Sequence, residues 1–178
     1  MTEHAYDIES EEERHQGGVR ALLEKAFGPQ RLQRAIYRLR EGVPPDPALC
    51  FVMVNTHGQV VGVVRNYRVR VGAHAGRALL LGPIAVAHSH EKLGLAARLI
   101  RHVITFARQR GYQIIYLVGD PNYYGEFGFK ATAAAQVNIE NLEPGKIILG
   151  LELTDNVPQL RGRIGADDSV LLEQLHKK

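Results

Sequence analysis

The feature that most constrains this chain is the Gly82-Pro83 pair set in the middle of a strong apolar run, Ala78 to His88. The run reads as a strand. Proline has no N–H to give to a ladder and glycine tolerates a bulge, so such a strand must lose pairing on one side halfway along. A fold built around it therefore holds a length of backbone whose polar groups are free to bind something else.

The neighbouring segments supply the layers that this strand needs. Leu49 to Val54 and Val60 to Val71 read as strands around an Asn55-Thr56-His57-Gly58 turn, hence a hairpin. Ser10 and Glu13 have the spacing of a capping box, which opens a helix carrying Val19, Leu22, Leu23 and Ala26 inward. A second helix is expected from Gln30 to Glu41, with Leu32, Ile36 and Leu39 at helical spacing, stopped by Gly42 and Pro44-Pro45. Lys92 to Arg110 is the clearest helix, with Ala96, Leu99, Ile100, Val103 and Ala107 on one stripe and Gly111 to end it. Tyr112 to Val118 and Ile147 to Leu153 complete the strands. The polar tail from Thr154 carries a short apolar set, Val170, Leu171, Leu172 and Leu175, expected to dock on the body.

This order implies an α/β (α+β) sandwich: a mixed, mostly antiparallel central sheet with helices on both faces. A chain of 178 residues fits one domain, with 154–178 as its docking tail. The single Cys50 forms no internal disulfide and reads as core. No Cys/His cluster has zinc spacing, so no metal is expected. No apolar run reaches membrane-spanning length, and Met1-Thr2-Glu3-His4 lacks a signal pattern. Together these imply a cytoplasmic protein without a membrane partner.

Charge is uneven. The formal net charge is +3, yet Gly58 to Gly125 holds nine basic residues against two acidic ones, Glu91 and Asp120. A basic middle suits an anionic ligand. Nucleic acid is disfavoured, because the arginines are spread over strand and helix without interleaved exposed aromatics, and Trp is absent. Arg65, Tyr67, Arg68 and Arg70 alternate along a strand and read first as a solvated polar face.

Two places carry chemistry. The junction Glu91-Lys92-Leu93-Gly94-Leu95-Ala96-Ala97 opens the clearest helix, whose first amides have no intrahelical partner and carry partial positive charge. Small residues at 94, 96 and 97 let a pyrophosphate come close. The second place is Gly119-Asp120-Pro121-Asn122-Tyr123-Tyr124-Gly125-Glu126-Phe127-Gly128-Phe129, which follows an apolar strand. It presents two adjacent tyrosines at the mouth of a sheet, where a phenol can serve as proton donor. His88, His90 and Glu126 lie nearby and read as solvated turn residues.

Leu81-Gly82-Pro83-Ile84-Ala85-Val86, the Glu91-to-Ala96 loop and the element from Gly119 to Phe129 together resemble the GNAT superfamily of acyl-CoA-dependent N-acetyltransferases, in its small bacterial YhbS-like branch. The resemblance covers nearly the whole chain. It implies that the loop from Glu91 through Lys92, Leu93, Gly94, Leu95, Ala96 and Ala97 holds the pyrophosphate of coenzyme A. It also implies that Ile84, Ala85 and Val86 pair with the pantetheine arm as though it were a strand, that an amide there polarises the thioester carbonyl, and that Asn122 touches the pantetheine. Tyr124 falls where the family places the acid that protonates the departing thiolate. Acetyl-CoA is then the co-substrate and the acceptor a primary amine of a small molecule or protein. Glu91 departs from the pattern, since the family usually has Gln or Arg there, and a carboxylate beside a diphosphate is repulsive. That motivates the alternative, a catalytically degenerate acyl-CoA sensor or interaction module on the same fold. The acceptor and the general base are not legible, and homodimerisation stays open.

Overall fold

Continuous apolar runs at 51–54, 78–81 and 114–118 put both faces of the central strands inside the protein. The computed structural model describes residues 5–132 and 136–176. Its strands are β1 (Tyr6–Ser10), β2 (Phe51–Asn55), β3 (Val60–Val71), β4 (His74–Val86) and β5 (Ile114–Val118), followed by β6 (Lys130–Ala131), β7 (Val137–Asn138), β8 (Ile148–Glu152) and β9 (Gly162–Ala166). Its α-helices are α1 (Gln16–Phe27), α2 (Ala35–Leu39), α3 (Leu95–Gln109), α4 (Pro121–Tyr124) and α5 (Ser169–Leu175). The main sheet runs β1-β2-β3-β4-β5-β8-β6, and β9 joins the edge of β3. Along this path only β4 and β5 pair in parallel. The mixed, mostly antiparallel sheet expected from the sequence is the observed one.

Each central strand divides its side chains between two cores, as the period-2 alternation of a strand requires. Leu79, Leu81, Ile115 and Leu117 join Leu95, Leu99, Ile100, Val103, Ile104 and Ala107 of α3. Their neighbours Ala78, Leu80, Ile114 and Tyr116 point the other way, against Ala35 of α2, Val137 and Ile164. Val19, Leu22 and Leu23 of α1 cover Val52, Val54 and Val63. Ala26 of α1 lies exposed rather than inward. Cys50 is core: its thiol donates to the Asp46 carbonyl at 3.1 Å, and burial pushes its pKa up to about 12.

Several element boundaries differ from the sequence reading. Ser10 ends β1, paired with Phe51, and so cannot cap a helix. The capping box instead uses Glu12 and His15, around a short 3₁₀ turn. The expected 30–41 helix is broken by the extended Arg34 (φ −71°, ψ 144°), leaving a 3₁₀ turn before α2 and Leu32 63% exposed. α3 begins at Leu95 rather than Lys92, because Lys92 and Gly94 both have positive φ (63° and 74°), a conformation no α-helix contains.

The segment after Thr154 contributes β9, whose Ala166, Gly165 and Ile164 pair with Val69, Arg70 and Val71. Arg68 grips Glu173 with two hydrogen bonds of 2.9 Å. Leu171, Leu172 and Leu175 remain exposed, and the side chain of Val170 lies outside the described ones. Two of the β3 arginines depart from the solvated face expected of them: Arg65 binds Glu11 through two nitrogens, and Arg68 also approaches buried Asp46 at 3.5 Å, while Arg70 is exposed.

Candidate functional site

The break in β4 positions the site. β4 pairs with β5 only at Ala78, Leu79 and Leu80. At Gly82-Pro83, whose peptide bond is cis, the β3 ladder skips from the Asn66–Leu81 pair to the Val64–Ile84 pair, leaving Arg65 opposite two residues. Beyond this bulge β4 keeps β3 on one side and, among the described residues, has no strand on the other. The Ala87 amide donates to Val61 at 2.8 Å, so by the alternation of an antiparallel ladder Ala85 faces β3, while the amides of Ile84 and Val86 point to the open side.

The loop into α3 offers a second set of amides. Among the described residues, no backbone hydrogen bond is donated by Lys92, Leu93, Gly94, Leu95, Ala96 or Ala97; the first is from Arg98 to the Gly94 carbonyl, 3.1 Å. Gly94 needs no side chain because its φ of 74° is left-handed, and the space where a Cβ would stand is empty. The Glu91 carboxylate does not reach these amides. It lies 3.0 Å from His88 Nδ1, an exposed pairing. His90 Nδ1 contacts Ser89 Oγ at 2.8 Å, and Glu126 is exposed.

The tyrosine element is built by local turn chemistry. Asp120 caps α4 by accepting from the Asn122 amide at 2.8 Å, and Pro121 takes the first helical position, where its missing N–H costs nothing. Asn122 is exposed, beside this turn. The turn drops Tyr124 onto the core near Phe129, ring centroids 6.0 Å apart. Gly119 makes room for it: a Cβ there would overlap the Tyr124 ring, 2.7 Å from Cδ2. Burial raises the Tyr124 pKa to about 12, so the phenol keeps its proton through neutral pH.

Tyr124 and Ile84 line one pocket of about 500 Å³, whose walls also include Tyr37, Arg40, Val118 and Ile147. The open edge of β4 and the tyrosine therefore meet. The loop residues Glu91 to Ala97, with Ala85, Val86 and Asn122, lie outside this pocket's lining. Sequence reasoning missed Gly119, Tyr37 and Arg40. Gly119 was visible as part of the motif, but the ring that demands it was not, and Arg40 reads in sequence as an ordinary cation near a helix end.

The Acetyltransferase (GNAT) family description matches residues 17–129 of this chain. The Uncharacterized N-acetyltransferase YjhQ of Escherichia coli (strain K12) is 27% identical over 135 residues, covering 75% of this chain and 74% of its own length. N-acetyltransferase family 8 member 2 of Rattus norvegicus is 32% identical over 109 residues, which span 58% of this chain and 46% of that protein. In fold, the chain resembles the GNAT family N-acetyltransferase YhbS from Escherichia coli, solved in complex with CoA, with a TM-score of 0.78 at 24% identity over 92% of this chain and 91% of that one. It also resembles a GNAT family acetyltransferase from Brucella melitensis, solved in complex with acetyl-CoA, with a TM-score of 0.66 at 24% identity over 91% and 96% of the two chains.

Proposed function

From the premise that the chain belongs to the acetyltransferase (GNAT) family, we propose that it moves an acetyl group from acetyl-CoA to a primary amine by direct attack. The observation that carries this reading is the half-paired β4 opening beside a tyrosine held protonated by burial. Acetyl-CoA supplies an activated thioester. Everything else in the reaction is asked of the chain.

The unpaired amides of residues 92–97, at the positive end of α3, suit a diphosphate. Ile84 and Val86, with amides toward the open side, suit an amide-bearing arm that lies down as an extra strand. The Val86 amide would then donate to the thioester carbonyl as charge builds on its oxygen. The neutral amine attacks the carbonyl carbon, the C–S bond breaks, and Tyr124 gives its phenolic proton to the sulfur. The proton released by the amine leaves through water, since no described carboxylate or histidine other than Asp120 and Glu143 lines the pocket, and both accept backbone hydrogen bonds. Asn122, in the same short helix as Tyr124, would meet the arm. We read residues 1–178 as one acetyltransferase domain whose 154–178 segment is held by β9 and the Arg68–Glu173 pair.

A panel of primary amines, followed by thiol release from acetyl-CoA, tests the reading. Tyr124→Phe should lower turnover about 10²-fold with an unchanged Kd for coenzyme A; unchanged turnover rejects the acid role. A second reading, an acyl-CoA-binding module, is favoured by one residue, Glu91, whose carboxylate stands at the loop. It requires calorimetric binding of coenzyme A with no acetylation of any amine.

A further inference from the structure

Arg40, the residue that ends α2, is 8% exposed and lines the pocket that holds Tyr124. Its Nε and Nη1 are fully buried without a hydrogen-bond partner. The guanidinium lies 5.0 Å from the Tyr37 ring and 5.1 Å from the Tyr67 ring. Its Nη2 stands 3.0 Å from where a Cβ of Gly82 would be, so the glycine of the β4 break is also what lets this cation in.

Two other part-buried arginines, both on β3, are neutralised. Arg65 holds Glu11, and Arg68 holds Glu173 beside Asp46. Among the described residues Arg40 forms no ion pair. Burial pulls its pKa down, and only the two tyrosines oppose that pull. A buried charge without a counter-charge is costly, and a ligand that brought the counter-charge would offset that cost. The acids of the pocket wall do not serve. Glu143 accepts from the Ala35 amide at 2.8 Å and Asp120 from the Asn122 amide at 2.8 Å. The remaining lining charges, Arg34 and Lys146, are themselves positive.

Resting on the transferase reading above, we propose that the acceptor is an amine that also bears a carboxylate, with Arg40 receiving the carboxylate while the amine faces Tyr124. A planar carboxylate matches a single guanidinium fork. A phosphate, with more charge and more oxygens, would need further buried donors, and among the described residues the wall offers no second buried cation, since Arg34 and Lys146 are exposed. The volume of about 500 Å³ suits a small molecule.

The test pairs free amino acids with their carboxamides as acceptors, and N-acetyl amino acids with N-acetyl carboxamides as calorimetric ligands. The native protein should favour the acid of at least one pair by about tenfold in kcat/KM and in Kd. Arg40→Met should erase that preference by weakening only the acid, with a melting temperature equal to or above the native one, because a buried unpaired charge has been removed. Arg40→Lys serves if the methionine variant does not fold, and should keep charge while losing most of the preference. Equal use of acid and carboxamide by the native protein, or an equal loss of both in Arg40→Met, overturns the proposal. Carboxylate binding through Arg40 without thiol release from acetyl-CoA would keep this assignment and sink the transferase reading. Acetylation that ignores the carboxylate would do the reverse.

Discussion

Ala78–Leu80 of β4 lies between β3 and β5, whereas Ile84–Val86, on the same strand, pairs with β3 alone. Both halves are apolar and extended. In the first half every backbone group can serve the sheet, and the side chains Ala78, Leu79 and Leu80 are buried on both faces. In the second half the amides of Ile84 and Val86 face away from β3, and Ile84 lines a pocket with a tyrosine and an uncompensated arginine in its wall. The comparison teaches that binding capacity comes from what the neighbouring strand omits. A two-residue interruption converts structural hydrogen bonds into available ones, without a change of composition.

The comparison can be broken from either end. The largest effect is expected in the closed half. Leu80→Ala should cost about 2–5 kcal/mol of stability, because a fully buried side chain leaves a cavity among Tyr116, Ile114 and Ile164. Urea denaturation should report this, while the Kd for coenzyme A stays within about twofold at temperatures where the variant is folded. A large loss of affinity in the folded variant would show that the halves are not independent.

The open half should behave the opposite way. Val86→Pro removes an amide that the β3 ladder does not use, so the melting temperature should hold. Turnover should fall about 10²–10³-fold if that amide stabilises developing charge. A variant that unfolds, or one that turns over normally, would each refute the separation drawn here. The smallest effect belongs to the loop. Glu91→Gln should tighten coenzyme A by about two- to fivefold by removing a carboxylate from the positive end of α3. The exposed His88 pairing it breaks contributes little to stability. Calorimetry on both proteins measures the difference, and unchanged or weaker binding would show that Glu91 does not face the diphosphate.

A similar lesson comes from paired and unpaired polar groups elsewhere. Tyr112 and Tyr124 are both raised by burial, but Tyr112 donates to the Asp46 carboxylate at 2.6 Å and is fixed by it. No hydrogen bond holds the Tyr124 hydroxyl among the described residues, and its ring is positioned only by packing and by the absence of a side chain at Gly119. Groups that the fold has already satisfied stabilise it. Those left free, on a rigid support, are the ones chemistry can use.

Much of this was legible in the chain itself. The apolar runs of β2 to β5 and the helical stripe of α3 dictated a sheet with helices on its faces, because those side chains must be buried against one another. Gly82-Pro83 dictated a lost pairing, since proline cannot donate, and Asp120-Pro121 dictated the turn beneath Tyr124. Tertiary structure decided the rest. Ser10 was drawn into a strand by Phe51, an extended Arg34 broke the second helix, and β9 found the free edge of β3. These outcomes depend on partners far along the chain, and no local spacing encodes them. Arg40 is the clearest case: in sequence it is one cation among many, and only the packing of Tyr37, Tyr67 and Gly82 around it leaves its charge buried and unanswered.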